Sequence, residues 1–174
     1  QNLFNISGLL FVFIFKIQEF LSSFPRVSLF SVPRWYPLLR SASLSTKSII
    51  SWHSSLLKKF WKAIQLADLT TYHYNCKGIY NNRVQCHRYD VGQYYNPHAD
   101  FHWLDEYSTN KLTLIVFLND DYEGGEFHFF DGKIIKPEVG KLVIHPTFAG
   151  HGVKRVTKGN RYSCVAWGVG DTFV

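Results

Sequence analysis

From Thr70 onward the sequence is a series of short apolar runs separated by Gly, Pro, Asp and Asn. Strands are predicted at residues 84–90, 112–119, 126–130, 133–136, 141–145, 151–156 and 161–169. Because no helical pattern lies between these runs, the strands are expected to pair antiparallel. The run at residues 112–119 is almost continuously apolar, which indicates burial on both faces. The pattern predicts a mainly β protein folded as a sandwich or jelly roll.

One amphipathic helix is predicted before the strands. Apolar residues recur at three- and four-residue steps, and the stripe consists of Ile49, Trp52, Leu56, Phe60, Ile64 and Ala67, widened by Leu57 and Trp61. Thr46 or Ser48 is positioned to cap the helix. The apolar face is expected to support a sheet.

Charge and cysteine content narrow the class of protein. The net charge of +6 belongs to residues 1–62, which carry +7, whereas residues 63–174 carry −1. A nucleic-acid partner is therefore not expected for the folded part. Cys76, Cys86 and Cys164 show no C-x-x-C spacing, which favours reduced thiols in an intracellular protein over a disulfide framework or a structural zinc site.

Residues 1–47 differ from the rest and are treated as a separate segment, with residues 48–174 as the functional domain. The apolar run at residues 9–15 is too short for a membrane-spanning helix. Residues 21–47 are rich in Ser and Arg and contain no acid, as in organelle-targeting segments. The chain contains no Met, so a truncated N-terminus explains this composition equally well. A cytoplasmic location is expected unless the segment directs the chain to an organelle.

A histidine and an aspartate lie two residues apart in His98-Ala99-Asp100, after the turn signal Asn96-Pro97. Such residues point the same way in extended backbone, so an imidazole and a carboxylate can meet at one cation. The motif alone is weak, because a His–Asp pair is more often a surface hydrogen bond. A second histidine would complete a two-histidine, one-carboxylate set, which suits iron(II) with open positions for O2 and a chelating co-substrate.

His151 and His145 are the candidates for that second histidine. An arginine downstream supplies a cation for the far end of a dicarboxylate. If residues 157–159 form a three-residue hairpin loop, Arg161 pairs with Arg155. His151, Arg155 and Arg161 then share one sheet face, with His151 and Arg161 roughly 13 Å apart. Arg161 is the preferred anchor and Arg155 is its rival.

These residues together resemble a known family. The segment from Tyr89 to Asp100 looks like the Y-x-x-G-x-x-Y-x-x-H-x-D signature of prolyl-4-hydroxylase-like 2-oxoglutarate/iron(II) dioxygenases. Residues 114–126 (LIVFLNDDYEGGE) are similar to the family's apolar strand and E-G-G-E turn, and residues 140–167 are similar to its C-terminal half. Arginine rather than lysine at position 161 resembles the PKHD-type branch.

The resemblance implies a double-stranded β-helix and an enzyme that hydroxylates a C–H bond while converting 2-oxoglutarate to succinate and CO2. It implies Fe(2+), 2-oxoglutarate and O2 as cofactors, with L-ascorbic acid as a further candidate. By position, it implies His98, Asp100 and His151 as iron ligands, because Arg161 follows His151 at the family spacing. It also implies that Tyr89 and Thr113 hydrogen-bond the co-substrate carboxylate.

The expected substrate is a protein side chain, with proline as one candidate, or a small molecule, and no motif in the loops at residues 78–83 and 101–110 identifies it. A nucleic-acid demethylase is a second hypothesis, but such enzymes typically carry a second arginine where this chain has Trp167. A cupin-like metal-binding domain without catalysis is a third, and the Arg161 anchor argues against it.

Other residues receive structural interpretations. His53, His73 and His87 are interpreted as surface or satisfied histidines, and His128 as part of a solvated strand face. Trp103 and Trp167 are interpreted as core or pocket wall.

Overall fold

The computed structural model describes residues 2–4, 12–16, 46–49, 54–103 and 106–173. The helix is α1 (Ser54–Ala67), continued by a π-helical turn at Asp68–Tyr72. The strands are β1 (Asn2–Phe4), β2 (Val12–Lys16), β3 (Thr46–Ile49), β4 (Gly78–Ile79), β5 (Gln85–Tyr89), β6 (Tyr95–His98), β7 (Asn110–Phe117), β8 (Glu123–Gly124), β9 (Phe127–Phe129), β10 (Ile134–Ile135), β11 (Lys141–Pro146), β12 (His151–Val153), β13 (Val156–Lys158) and β14 (Arg161–Val169).

Two sheets carry the fold, and the strand pairs in both are antiparallel. The large sheet has the order β1-β2-β11-β7-β14-β5-β3, with β4 added to β14. The small sheet has the order β10-β9-β12-β6, and β8 and β13 form a separate pair. The prediction of a mainly β double-stranded β-helix with a supporting helix is confirmed.

Strand β7 divides the core in two because its side chains alternate between the sheet's faces. Leu112, Leu114 and Val116 pack with Phe60 and Ile64 of α1 on the outer face. On the inner face, a second cluster fills the space between the sheets and includes Ile115, Phe117, Phe127, Phe129 and Val143. Every residue of β7 is buried, as the apolar run predicts.

The predicted start of the helix is wrong. Thr46 and Ser48 do not cap it, because Thr46–Ile49 is a strand that pairs antiparallel with β5. The backbone groups along β5 need hydrogen-bond partners, and this tertiary requirement overrides the local helical pattern. The predicted stripe is retained from Phe60 to Ala67, whereas Trp52 lies outside the described residues.

The predicted hairpin is also wrong. Strand β14 does not pair with β12 or β13; it lies between β7 and β5, and Arg161 is opposite Tyr89 rather than Arg155. Strand β12 belongs to the small sheet, and β13 pairs with β8. Because β14 is buried along most of its length, it takes a central position in the large sheet, which an edge hairpin would not provide. Gly159 has φ +74° in the connection that changes sheets.

The interpretation of residues 1–47 as a targeting or truncated segment falls almost wholly outside the described residues, and it stays a prediction, as does the boundary at residue 48. Among the described residues, no helix combines the length and the apolar character needed to cross a membrane.

Candidate metal and co-substrate site

A cavity of about 510 Å³, counted with its open mouth, lies between the two sheets. Both sheets contribute to its wall, and the side chains come from alternate positions of neighbouring strands, as strand geometry requires. All six residues predicted for the site line it, namely Tyr89, His98, Asp100, Thr113, His151 and Arg161.

Three of these side chains converge on one point. His98 ends β6 and His151 begins β12, and the antiparallel register places the two residues opposite each other. Asp100 reaches both rings, with Oδ1 3.3 Å from His98 Nε2 and Oδ2 3.6 Å from His151 Nε2. One candidate ligand atom from each residue lies within 4.8 Å of the other two. Two imidazoles and one carboxylate at this spacing form a donor set that fits iron(II).

Backbone carbonyls orient both rings. His98 Nδ1 lies 2.8 Å from the carbonyl oxygen of Asn96, and His151 Nδ1 lies 2.9 Å from that of Ala149. A hydrogen on each Nδ1 would be donated to these oxygens, so each neutral ring can present its Nε2 lone pair to a metal. This is the tautomer that a metal-binding histidine needs.

The Asp100 carboxylate is held in its charged form. Burial raises its pKa, but without a metal the hydrogen bond from a protonated His98, the charge of a protonated His151 and the hydroxyl of Thr113 outweigh burial, and the pKa of Asp100 is lowered below its ordinary value. Thr113 Oγ1 donates to Oδ2 at 2.7 Å. The Asp100 backbone is fixed as well, because its N–H donates to Thr147 O at 2.8 Å.

His145, the rival third ligand, lies behind the site. It is fully buried, its ring centroid is 4.7 Å from that of His151, and Phe127 and Phe129 surround it. Burial lowers its pKa to about 3, with a further contribution from His151. Among the described residues, the group that could hold a metal ion consists of His98, Asp100 and His151 and does not include His145.

Arg161 occupies the other end of the cavity. It is 1% exposed, and its guanidinium carbon lies 5.1 Å from the Tyr89 ring centroid and 5.4 Å from that of Phe117. Nη1 donates to Ser163 Oγ at 2.8 Å, whereas Nε has no hydrogen-bond partner. Within the described part of the chain, no carboxylate forms an ion pair with it. A buried cation of this kind is costly unless an anion reaches it, so the residues present fit a bound dicarboxylate.

Tyr89 and Thr113, which are also predicted to contact the co-substrate, lie at opposite ends of the cavity. Tyr89 flanks Arg161, but Thr113 contacts Asp100 instead of the guanidinium. Arg155 is exposed; it donates to the Gly92 carbonyl oxygen and stacks 4.6 Å from the Tyr94 ring centroid. Arg155 is therefore absent from the cavity wall, which favours Arg161 over Arg155 as the anchor.

Several cavity residues were not predicted from the sequence. Ser163, two positions after Arg161, and Gln85 and His87, before Tyr89, line the cavity. The interpretation of His87 as a surface or satisfied histidine is therefore incomplete. Alternation along a strand could have found these residues, because positions two apart from a known site residue share its face. Trp167 lies in the wall, as its interpretation states, whereas the interpretation of Trp103 as core or pocket wall is wrong, because Trp103 is 72% exposed.

Comparisons with known proteins show what the part of the chain that carries this site is similar to. Residues 84–168 match the model of the 2OG-Fe(II) oxygenase superfamily. The chain is similar to a PKHD-type hydroxylase of Prochlorococcus marinus (strain MIT 9211), with 36% identity over 46% of this chain and 38% of the relative. It is also similar to human prolyl 3-hydroxylase 2, with 35% identity over 41% of this chain and 12% of the relative.

Solved structures share the fold. The collagen prolyl hydroxylase of Paramecium Bursaria Chlorella virus-1, in complex with 2OG, aligns with a TM-score of 0.60 and 23% identity over 71% of this chain and 78% of that one. A prolyl-4-hydroxylase of Pseudomonas putida aligns with a TM-score of 0.61 and 17% identity, covering 77% of each chain.

Residues 84–168, just under half of the chain, thus match the 2OG-Fe(II) oxygenase superfamily. The chain is similar in sequence to a PKHD-type hydroxylase and a prolyl 3-hydroxylase. The chain spans well under half the length of these relatives, 38% and 12% of the two described.

Proposed function

We propose that this protein is an iron(II)- and 2-oxoglutarate-dependent hydroxylase. His98, Asp100 and His151 hold the metal, and Arg161 holds the distal carboxylate of 2-oxoglutarate. The observation that carries the proposal is that a buried guanidinium without a carboxylate partner lines the same cavity as a His-Asp-His cluster. Neither a structural metal site nor a sensor needs that cation.

The residues of the chain have separate tasks in this function. Asp100 supplies the negative charge that the metal site requires, and Thr113 fixes the carboxylate by donating to Oδ2. Arg161, oriented by Ser163 and packed against Tyr89, pairs with the far carboxylate of the co-substrate. When bound, iron(II) supplies the activation of O2 that decarboxylates 2-oxoglutarate and hydroxylates a C–H bond. The apolar wall, including Ile115, Phe127 and Val153, excludes water from the reacting groups.

The proposed substrate is a peptide, with a prolyl side chain as the first candidate. The names of the prolyl 3-hydroxylase relative and of the viral and bacterial prolyl hydroxylase structures support this class. A nucleic-acid substrate is not proposed, because residues 63–174 carry a net charge of −1 and Trp167 stands where the demethylases typically have a second arginine. An intracellular location and stimulation by ascorbate stay predictions.

Turnover of 2-oxoglutarate tests the proposal. Purified protein is incubated with Fe(II), 2-oxoglutarate and O2, with proline-containing peptides present or absent, and succinate is measured. We expect succinate formation that requires iron and is abolished in Asp100→Ala. Metal-independent succinate formation, or none with any metal, would contradict the proposed function.

A further inference from the structure

Two polar side chains on the cavity wall have no task in the iron or co-substrate site. They are Gln85 and His87, which alternate with Cys86 on β5 and line the cavity together with Tyr89. His87 also packs edge-on against Tyr89, with ring centroids 6.2 Å apart. Polar groups on the wall of a ligand cavity usually fix the orientation of the ligand.

The strand register locates the pair between the two ends of the cavity. Tyr89 lies opposite Arg161, His87 opposite Ser163, and Gln85 opposite Val165. Each step of two residues advances about 7 Å along the strand, so Gln85 lies well away from the Arg161 anchor. It lies toward the end of β14 where Trp167 pairs with Thr113, the residue that donates to Asp100.

Strand β5, which carries this pair, lies near one edge of the large sheet. Strand β6 is the last strand of the small sheet, and β5 is followed only by β3 in the large sheet. Residues 90–94 connect β5 to β6, yet the two strands are not hydrogen-bonded to each other.

The contact between the two side chains determines what they offer to a ligand. His87 Nε2 lies 3.3 Å from Gln85 Oε1. Because the amide oxygen can only accept, the imidazole must donate through Nε2–H. One lone pair of the amide oxygen is thereby used, and the Gln85 NH2 group still supplies two donors. A neutral amide donor suits a neutral carbonyl oxygen, whereas a carboxylate is better matched by a guanidinium, as at Arg161.

We propose that Gln85, oriented by His87, is a substrate-positioning residue that donates a hydrogen bond to a backbone carbonyl oxygen of a peptide substrate. A peptide carries such a carbonyl on each side of the residue that is hydroxylated. The hydrogen bond therefore fixes the register of the peptide over the metal site. This inference rests on the proposed function and adds the group by which the substrate is recognised.

The experiment combines enzyme variants with altered peptides. The probes are a proline-containing peptide and two analogues in which an alkene isostere replaces the amide before or after the proline, removing one carbonyl oxygen. The variants are Gln85→Glu, which replaces the donor with an acceptor of similar shape, and His87→Phe, which retains ring volume without the donor. The controls are Gln65→Glu and His73→Phe, at exposed positions. Succinate and hydroxylated peptide are measured, with separate KM values for peptide and 2-oxoglutarate.

We expect Gln85→Glu to raise the KM for the parent peptide about tenfold or more, the effect of one lost hydrogen bond, while the KM for 2-oxoglutarate stays unchanged. His87→Phe should raise the peptide KM in the same direction, and the two controls should not. For wild-type protein, one of the two isosteres should raise KM similarly, and Gln85→Glu should no longer distinguish that isostere from the parent.

Three results would overturn the inference. In the first, Gln85→Glu retains the wild-type peptide KM. In the second, it changes the KM for 2-oxoglutarate instead, which would assign Gln85 to the co-substrate. In the third, wild-type protein forms succinate but no peptide is hydroxylated; this rejects the peptide substrate and leaves the oxygenase chemistry intact. Failure of wild-type protein to consume 2-oxoglutarate would reject the proposed function itself.

Discussion

Arg161 and Asp100 are the two buried charges on which the account of this protein depends. Each lies in the cavity wall, and each is oriented by one hydroxyl, Ser163 for the guanidinium and Thr113 for the carboxylate. The neighbouring cation, Arg155, has the same chemistry but faces solvent. Position in the fold, not residue type, therefore separates an anchor from a surface charge.

Arg161→Ala should raise the KM for 2-oxoglutarate strongly, because a charge-assisted bidentate contact contributes about 1.5–3 kcal/mol or more when desolvated. Arg161→Lys should retain part of the affinity, since it keeps the charge and loses the planar fork. Steady-state kinetics with varied 2-oxoglutarate measures both effects.

Arg155→Ala is the matched control and should leave the KM for 2-oxoglutarate near the wild-type value. The reverse pattern, with Arg155→Ala weakening 2-oxoglutarate binding and Arg161→Ala not, would show that the anchor is misassigned.

His145 should make the stability of the folded protein depend on pH. Its pKa in the folded protein is lowered to about 3, against an ordinary value of 6.5. Between these values the unfolded chain binds the proton and the folded chain does not, so stability falls as pH drops below about 6.5. At pH 5 the apoprotein should be about 2 kcal/mol less stable than at pH 7 from this residue alone.

Urea unfolding of metal-free protein at pH 7 and pH 5 measures this loss. His145→Phe keeps an aromatic ring among Phe127 and Phe129 and should reduce the difference between the two pH values. An unchanged pH dependence in His145→Phe would show that other groups account for the acid sensitivity.

At the scale of elements, the short β8–β13 pair packs against the side chain of Arg161. Gly125 follows β8 with φ +63°, and a Cβ there would lie 2.9 Å from Val156 Cγ2 and 3.2 Å from Arg161 Cδ. Only glycine combines this backbone conformation with this close approach. Gly125 is thus needed for the position of Arg161 as well as for the turn.

Gly125→Ala should destabilise the fold by more than about 1 kcal/mol, the cost of backbone strain alone, and should raise the KM for 2-oxoglutarate by displacing Arg161. Gly132→Ala is the control, because Gly132 has φ +87° and a Cβ added there would have no atom within 4 Å. Thermal unfolding and 2-oxoglutarate kinetics of the two variants separate strain from crowding. Equal effects of both substitutions on KM would contradict a specific contact with Arg161.

Helix α1 is the element that fixes the outer face of the large sheet. Phe60 and Ile64 are fully buried in the cluster that includes Leu112 and Leu114. Phe60→Ala should lower the free energy of unfolding by about 3–5 kcal/mol, whereas Lys58→Ala, at an exposed position of the same helix, should change it by less than about 0.5 kcal/mol. Denaturant unfolding checks both values, and a small effect at Phe60 would show that α1 is dispensable for the sheet.

At the scale of the whole molecule, local sequence patterns predicted where strands lie better than they predicted which strands pair. The apolar run in β7 indicated burial on both faces, and the resemblance of residues 89–100 to a family signature indicated the jelly roll. The partner of β14 could not be predicted, because a turn after β13 is compatible with a hairpin and with a change of sheet. The helix start was misjudged for a similar reason, since the strand at Thr46–Ile49 exists only by pairing with β5.

Residues of the candidate site could be predicted where they lie close together in sequence or follow the spacing of the family that the sequence resembles. His98 and Asp100 are two residues apart in sequence, and His151 and Arg161 follow the family spacing. Ser163, Gln85 and His87 enter the cavity through the pairing of β5 with β14, which is a tertiary property. The predicted hairpin between His151 and Arg161 was wrong. Both residues still line one cavity, because the two sheets that carry them face each other across it.

Calorimetric titration of 2-oxoglutarate tests the central claim that the predicted metal ligands and the Arg161 anchor form one site. It is performed without O2 on wild-type protein, Asp100→Ala and Arg161→Ala, each with and without Mn(II) in place of iron. We predict that wild-type protein binds 2-oxoglutarate tightly only when the metal is present, and that either substitution weakens binding at least about tenfold, since each removes one of the two contacts. Binding of equal strength with and without metal, unaffected by Asp100→Ala, would contradict the account.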